Sequence, residues 1–145
     1  MRVLVQRSGE ASVQVNDQTV GNIDQGLVVF VGFTDGDTID KIEYLARKIV
    51  NLRIFPDENG VMNKSLLDYG GKILSVSQFT LYADTKKGRR PSYVNALKSN
   101  EAIKLYDLFN EKLSKYLQVS TGVFGEDMEV ESINDGPVTI ILESR

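Results

Sequence analysis

Three polar side chains interrupt an apolar stretch in the middle of the chain. The run "VSQFTLY", residues 76 to 82, places Ser77, Gln78 and Thr80 among large apolar neighbours. On an extended strand Gln78 and Thr80 would share one face, with Ser77 and Phe79 on the other. An unpaired buried amide or hydroxyl costs about 1 to 3 kcal/mol, so these groups need partners or a cleft. Spacing alone favours backbone-bonded strand residues, and contact with a substrate stays the alternative.

The amino-acid composition limits the chemistry that such a site could perform. The chain contains no histidine and no cysteine. This excludes Ser-His-Asp and Cys-His catalysis, disulfides, and zinc sites built on imidazole or thiolate ligands. No Ser-x-x-Lys dyad motif occurs, and the carboxylates form no calcium-loop pattern. Catalysis would have to use hydroxyls, carboxylates, lysines, backbone amides, water or a group of the substrate. No cofactor and no metal site is predicted.

A second polar motif, "INDGPVTII", spans residues 133 to 141 and contains Gly136-Pro137. A proline at the first residue of a strand is ordinary, because its missing N–H is not needed there. The pattern therefore favours a turn at 135 to 137. A cis Gly-Pro bond is the sharper alternative, although only about 5 to 6% of X-Pro bonds are cis.

A basic cluster, Lys86-Lys87-Gly88-Arg89-Arg90, stands out against a formal net charge of -3. Such a run is usually a solvated loop, and here it is also the patch best suited to contact a phosphate backbone. The overall acidity argues against broad, non-specific binding of nucleic acid. A small local contact with an RNA end is compatible with it.

Two amphipathic helices are predicted from apolar residues at helical spacing. The first runs from Thr38 to about Leu52, with Asp37 or Thr38 as its cap. The second runs from about 100 to 118, with Ser99 as its cap.

The remaining apolar runs predict strands. The stretch "GLVVFVGF", 26 to 33, is apolar throughout and typical of a strand buried on both faces. Turns are predicted at 34–37, 56–60 and 69–71, and an exposed loop at 84–92. The other predicted strands are a pair at 1–8 and 11–15, a short strand after Leu52, one at 73–83, and closing strands at 119–123, 128–134 and 138–143.

These elements predict one α/β domain over residues 1–145, with a mixed, largely antiparallel sheet and two long helices. No segment is apolar for long enough to span a bilayer, and the start "MRVLVQRSGE" has polar residues by position 6. A cytoplasmic protein that does not bind a membrane is the expectation.

Taken together, "SQFTLYAD" (77–84), "NDGPVT" (134–139), "FPDENGVMNKSL" (55–66) and the opening "VLVQR" with "ASV" resemble the D-aminoacyl-tRNA deacylase family, also called D-tyrosyl-tRNA deacylase. The resemblance runs along the whole chain. The two signatures of that family, Ser-Gln-x-Thr and Asn-x-Gly-Pro-x-Thr, both occur in full and in the expected order. The deacylase-type fold is implied with them.

The resemblance implies a hydrolase that cleaves the ester between a D-amino acid and the 3′-terminal adenosine of tRNA. It also implies acceptance of glycyl-tRNA mischarged on tRNA-Ala, rejection of L-aminoacyl-tRNA, and a role in chiral proofreading during translation. A homodimer is implied, with the active site at the subunit interface and tRNA as the partner. Catalysis would be metal-independent.

The resemblance also assigns roles to individual residues. Ser77, Gln78, Phe79 and Thr80 would form the catalytic group. The substrate-binding group would be Gly136, Pro137, Arg7, Asn134 and Thr139. Gly136-Pro137 would be cis and would hold the substrate's α-amino group, so that an L side chain collides with protein. Arg7 would steady this motif by hydrogen bonding, and Phe79 would pack near the terminal adenosine.

Two mechanisms stay open at this point. In the favoured one, the tRNA 2′-hydroxyl assists hydrolysis while backbone amides near Phe79 and Thr80 polarise the ester carbonyl. In the other, Thr80 is the nucleophile, although it would need an adjacent base and none is evident. Two other function classes remain as alternatives: a non-catalytic module that binds the aminoacylated tRNA 3′ end, and an interaction protein with a trans Gly136-Pro137 bond and no cleft.

Three positions depart from the pattern typical of the family. They are Arg89 in place of Asn, Tyr93 in place of Phe, and Glu126 in place of Ala. None lies in the two signatures, so we expect them to bear on tRNA contacts rather than on the reaction.

Overall fold

A six-stranded mixed sheet forms the body of the protein in the computed structural model, which describes residues 1–144. Its strands are β1 (Arg2–Val15), β2 (Gln18–Ile23), β3 (Gly26–Gly32), β6 (Lys72–Ser77), β7 (Val119–Thr121) and β8 (Glu129–Glu143). A small hairpin joins β4 (Phe55–Pro56) to β5 (Met62–Lys64). The helices are α1 (Ile39–Val50), α2 (Leu66–Tyr69) and α3 (Ser99–Ser114), with one turn of 3-10 helix at Phe79–Tyr82.

Strand β1 organises the sheet. It pairs antiparallel with β8 along one edge, and with β3 and then β2 along the other. Strands β3, β6 and β7 run parallel to one another. The predicted fold class, one α/β domain with a mixed sheet and two long helices, is confirmed.

The apolar residues divide into two cores on opposite faces of the sheet. Helices α1 and α3 pack over one face, where Leu27, Val29 and Val31 of β3 are buried. Val28 of the same strand points into the second cluster, together with Leu74 and Val76 of β6. The prediction that residues 26–33 form a strand buried on both faces is therefore confirmed, apart from its last residue.

Long strands replace two of the predicted strand pairs. Residues 2–15 form the single strand β1, so the separate strands at 1–8 and 11–15 were wrong. Likewise, 128–134 and 138–143 belong to β8, and 135–137 lies inside that strand rather than in a turn before it. The cause is mutual pairing: β1 and β8 bond across both irregular points, with shifts of register beside Ser8. A local break signal cannot end a strand whose partner continues.

The strand predicted at 73–83 ends at Ser77 and continues as the 3-10 turn. Its neighbour β3 ends at Gly32, and the last hydrogen bond between these two strands runs from the Gln78 N–H to the Val31 carbonyl, 2.7 Å. Beyond that point the chain has no parallel partner. The expectation that Gln78 and Thr80 share one face of a strand was therefore wrong.

The two long helices lie close to their predicted bounds. Helix α1 begins after Thr38, although the Thr38 hydroxyl makes no capping bond. Helix α3 begins at Ser99 and ends at Ser114; Lys98, not Ser99, occupies the cap position. The strand at 119–123 ends at Thr121, and the short helix α2 was missed; a reciprocal capping box between Ser65 and Asp68 marks its start. Within residues 1–144, no helix combines the length and apolarity needed to cross a membrane.

Candidate active site

A cleft of about 550 Å³ opens where the three parallel strands end. Strands β3, β6 and β7 all finish at this edge of the sheet, and the chain that follows each of them contributes to the walls. The carboxyl ends of parallel strands are where α/β proteins commonly bind ligands. The residues after the three strands that line the cleft are Phe33, then Gln78 and Phe79, then Phe124 to Met128; the start of α3 closes the other side.

The 3-10 turn supplies the polar wall of this cleft. Ser77, Gln78 and Phe79 line it, whereas Thr80 is half-buried and lies outside the lining set. The Gln78 side-chain amide donates a hydrogen bond of 2.5 Å to the Thr80 hydroxyl oxygen. Gln78 and Thr80 thus bond to each other beyond the end of β6, whereas Ser77 is the last residue of that strand. Within residues 1–144, Gln78 is the one hydrogen-bond partner of the Thr80 hydroxyl.

Two backbone amides at the start of the turn have no acceptor in the described chain. Leu81 N–H bonds to the Gln78 carbonyl and Ala83 N–H to the Thr80 carbonyl. Among residues 1–144, neither the Phe79 N–H nor the Thr80 N–H donates a hydrogen bond. The first amides of any helical turn lack an internal partner. Here Phe79 lines the cleft and Thr80 is its neighbour in the chain. Such donors can stabilise negative charge on a carbonyl oxygen.

The turn is held from behind by β1 and β3. A side-chain carbon added at Gly32 would lie 2.8 Å from the Gln78 carbonyl oxygen, so only glycine allows this close approach. Arg2 donates through Nη1 to the Leu81 carbonyl, 2.5 Å, and through Nε to the Glu143 carboxylate, 2.6 Å. Its guanidinium carbon also lies 4.9 Å from the centre of the Tyr82 ring. The turn is therefore fixed to the sheet by both backbone and side chains.

Partial burial of the Tyr82 side chain, with a smaller contribution from the nearby Asp37 carboxylate, raises the pKa of its phenol to about 12. The Arg2 guanidinium opposes this shift. Tyr82 is therefore neutral throughout the physiological range and acts here as a packing residue of the turn.

An aromatic pair marks the mouth of the cleft. The ring of Phe79 is 55% exposed, and its centre lies 5.1 Å from that of Tyr93 in an edge-to-face arrangement. Both residues line the cleft. Exposed aromatic rings beside polar groups are suited to contact with a nucleobase.

The predicted substrate-binding residues, Arg7 and the Gly-Pro group at 134–139, lie on β1 and β8. The Gly136-Pro137 bond is cis, as the family resemblance implied, and the interaction-protein alternative, which required a trans bond, was wrong on this point. The Asn134 amide donates to the Thr139 hydroxyl, 3.0 Å, and its oxygen accepts from the Val138 N–H, 3.2 Å. The motif thus closes on itself.

Arg7 connects the Gly-Pro group to the rest of the chain. Its Nε donates to the Asp135 carbonyl, 3.2 Å, and its Nη1 to the Ile54 carbonyl, 2.7 Å. The Arg7 side chain is mostly buried, whereas Gly136, Pro137 and Thr139 are exposed.

The two predicted groups do not meet within one chain. Gln78 in the cleft wall bonds to Val31, which is opposite Val3 in β1. The Gly-Pro group instead lies beside Arg7, four residues further along β1. Four residues along β1 correspond to about 13 Å, and the strand spacings from β8 to β6 add about 14 Å across the sheet. None of the five substrate-binding residues predicted from the sequence lines the cleft. The two predicted groups of residues therefore lie in different regions of one chain.

Sequence reasoning missed much of the cleft wall. Ala96 to Ser99, before and at the start of α3, and Phe124 to Met128, after β7, line it without belonging to either signature. The one sequence signal for this part of the wall is that Glu126 departs from the family pattern. In the described chain, no three histidine, cysteine, aspartate or glutamate side chains cluster as a metal site would require.

Comparison with known proteins agrees with the motifs. The family model described as D-Tyr-tRNA(Tyr) deacylase matches residues 4–143. Proteins named D-aminoacyl-tRNA deacylase are similar over the full length: that of Brevibacillus brevis is 59% identical over 99% of this chain and 100% of its own. That of a Geobacillus strain is 56% identical over 100% and 96%.

Two solved structures share the fold of this chain. The structure titled c-Myc DNA Unwinding Element Binding Protein superposes with a TM-score of 0.95 at 41% identity, covering 100% of this chain and 99% of its own. One titled as a probable eukaryotic D-amino acid tRNA deacylase has a TM-score of 0.84 at 21% identity, covering 97% of each, which supports the fold alone. With both signatures intact and the family model matching nearly the whole length, the chain belongs to the D-Tyr-tRNA(Tyr) deacylase family.

Proposed function

We propose that the protein hydrolyses the ester bond of D-aminoacyl-tRNA to free D-amino acid and tRNA. The observation that carries this proposal is the pair of unbonded amides, Phe79 and Thr80, beside a cleft in a chain of this family. The ester carbonyl would accept from these amides, and water would add to its carbon. The bond to the tRNA 3′ oxygen then breaks, and that oxygen takes up a proton as tRNA leaves.

Substrate assistance is the better supported mechanism. The Thr80 hydroxyl accepts from Gln78 and makes no hydrogen bond to a carboxylate or an amine in the described chain, so no hydrogen-bonded base activates it. The 2′-hydroxyl of the terminal ribose lies next to the scissile ester and can orient the water. Gln78 would then hold Thr80, and Ser77 would shape the pocket, with the Phe79 ring against the terminal adenosine. We propose no metal for this step.

A deacylation assay separates these possibilities. With catalytic amounts of protein, we expect D-tyrosyl-tRNA and glycyl-tRNA on tRNA-Ala to be cleaved and L-tyrosyl-tRNA to survive. Equal cleavage of the D and L forms would overturn the chiral proofreading role. Binding of all three without turnover would instead favour the non-catalytic module.

Two changes test the mechanism itself. Thr80→Ala is expected to retain near-normal single-turnover hydrolysis, because the backbone amide remains; complete loss would favour Thr80 as nucleophile. A substrate ending in 2′-deoxyadenosine, with the amino acid on the 3′ oxygen, is expected to react slowly. A normal rate for that substrate would end the case for assistance.

The protein is further proposed to act as a homodimer in which Gly136-Pro137 of one subunit completes the cleft of the other. Two facts support this proposal. The cleft and the Gly-Pro group lie apart in one chain, and Ile133 and Ile141 of β8 are each 62% exposed. The carbonyls of Gly136 and Pro137 would bind the substrate's α-amino group and leave no room for an L side chain. Cytoplasmic localisation stays a prediction.

Mixing two inactive variants tests the shared site. Gly32→Ala damages the cleft wall and Gly136→Ala the Gly-Pro group. In a mixed dimer one of the two sites would combine an intact cleft with an intact Gly-Pro group. Refolding the variants together should restore about a quarter of the activity, by random pairing in a two-fold dimer. No restoration, with mixed dimers verified by mass, would mean that each site uses one chain.

A further inference from the structure

The exposed loop that joins the 3-10 turn to α3 concentrates positive charge. Lys86, Lys87, Arg89 and Arg90 fall within five positions of a chain whose formal net charge is -3. All four are exposed, which confirms the sequence prediction of an exposed loop. In the part of the chain that the structure describes, no carboxylate forms an ion pair with any of them. Their charge is therefore available to an external anion.

The base of this basic loop (86–90) is held by the backbone. Asp84 and Ser92 form a two-way bridge, with N–H to carbonyl distances of 2.8 Å and 2.9 Å. The Asp84 carboxylate also accepts from the Lys86 N–H, 2.9 Å. Gly88 at the tip has a φ of +68°, with open space around it. The loop thus leaves the protein from a defined point while its side chains extend into solvent.

That point is the rim of the cleft. On one side Asp84 lies two residues after the end of the 3-10 turn. On the other side Ser92 precedes Tyr93, which lines the cleft and packs against Phe79. The loop therefore lies next to the part of the cleft that Phe79 and Tyr93 line.

We propose that the basic loop binds phosphates of the tRNA acceptor end, next to the aminoacylated adenosine in the cleft. This rests on the proposed function and adds a second contact region to it. Flexible, exposed lysines and arginines without a planar pocket recognise backbone charge rather than base sequence. The loop would therefore hold the RNA strand while the cleft reads the aminoacyl group.

The test compares a substrate with phosphates and one without. The variant K86Q/K87Q/R89Q/R90Q is assayed on D-tyrosyl-tRNA and on D-tyrosyl-adenosine. We expect kcat/KM on the tRNA to fall about tenfold or more at about 50 mM salt, with a shallower salt dependence. On the nucleoside ester the rate should stay within about twofold of wild type, since it carries no phosphate.

A matched control removes four charges elsewhere. The four residues chosen are exposed and do not line the cleft: Arg47, Lys48, Lys104 and Lys115. The variant R47Q/K48Q/K104Q/K115Q should therefore leave the rates on D-tyrosyl-tRNA and on D-tyrosyl-adenosine near those of wild type. Equal loss with this control would show that overall charge is responsible and would overturn the proposal. So would an equal loss on the two substrates, which would place the effect in the cleft itself.

Binding of uncharged tRNA keeps the two proposals distinguishable. The loop variant should bind tRNA about tenfold more weakly than wild type, whether or not the protein hydrolyses the ester. Absence of hydrolysis by the wild type would end the proposed function while leaving this comparison intact. Unchanged tRNA affinity would overturn the loop proposal, and charge-dependent binding to anionic vesicles instead would assign the loop to a membrane.

Discussion

The cleft wall at 77–80 and the Gly-Pro group at 134–139 are supported in different ways. The first follows a buried parallel strand, contacts Gly32 and Arg2, and is tied to the core by the bond from Gln78 to Val31. The second lies on an exposed edge and is held mainly by bonds within itself and to Arg7. A change in the first should therefore cost both folding stability and activity, whereas a change in the second should cost chiefly activity.

The largest effect is expected for Gly32→Ala. The added carbon would meet the Gln78 carbonyl at 2.8 Å and the Tyr82 ring at 3.3 Å, so the turn must shift. Overpacking of this kind costs about 1 to 3 kcal/mol of stability. A displacement near 1 Å can lower the rate about 100-fold. Chemical denaturation and kcat/KM measure the two losses.

Gly9→Ala is the control for Gly32→Ala, since the added carbon would have only an ordinary contact with Ile133, at 3.8 Å. Both quantities should stay near wild type there. Normal activity in Gly32→Ala would remove the turn from the site and end the contrast.

Gly136→Ala should reduce activity about as much as Gly32→Ala but should reduce stability less. Its φ of +123° disfavours any side chain, and the new carbon would lie 2.8 Å from Val138 Cγ2 and 3.0 Å from Arg7 Nη2. Because the position is exposed, we expect a loss of about 1 kcal/mol in unfolding free energy. kcat/KM should fall about 100-fold. A cooperative unfolding loss as large as that of Gly32→Ala would erase the difference between the regions.

The two arginines offer a more selective test. Arg7→Gln removes charged hydrogen bonds to Asp135 and Ile54, each worth about 1.5 kcal/mol or more. We expect the ratio of D- to L-tyrosyl-tRNA cleavage to fall about tenfold. Arg2→Gln loosens the turn instead, so it should slow D-tyrosyl-tRNA cleavage and leave the ratio unchanged. If the ratio of D- to L-tyrosyl-tRNA cleavage changed in Arg2→Gln and not in Arg7→Gln, selectivity would depend on the turn rather than on the Gly-Pro group.

The smallest effect concerns alkaline pH. The pKa of Tyr82 is about 12 in the folded protein and about 10 in an unfolded chain, so above pH 10 the unfolded state loses its proton first. Neutral Tyr82 therefore contributes fully to the unfolding free energy below pH 10, and this contribution is lost as the pH rises through 12. Tyr82→Phe should therefore show a weaker fall in unfolding free energy between about pH 10 and pH 12, followed by circular dichroism. An identical slope in both proteins would contradict this.

Much of the fold could be predicted from local patterns. The helical spacing in α1 and α3 and the apolar run in β3 located these elements to within a few residues. Errors arose where pairing overrode local signals: β1 and β8 continue through Gly9 and through Gly136-Pro137 because they pair again beyond each shift of register. The capping box of α2 is present in the sequence as "SLLD", but the glycines that follow led to the prediction of a turn only.

The sequence by itself determined the kind of chemistry available and the family, since both depend on residue types and their order. Without histidine or cysteine, attention had to move to amides, hydroxyls and the substrate. Only the tertiary structure decided that Gln78 binds Thr80, that the Phe79 and Thr80 amides lie beside a cleft, and that the two signatures stand apart in one chain. These depend on where neighbouring strands end and pair, which is decided by contacts between segments that are far apart in the chain.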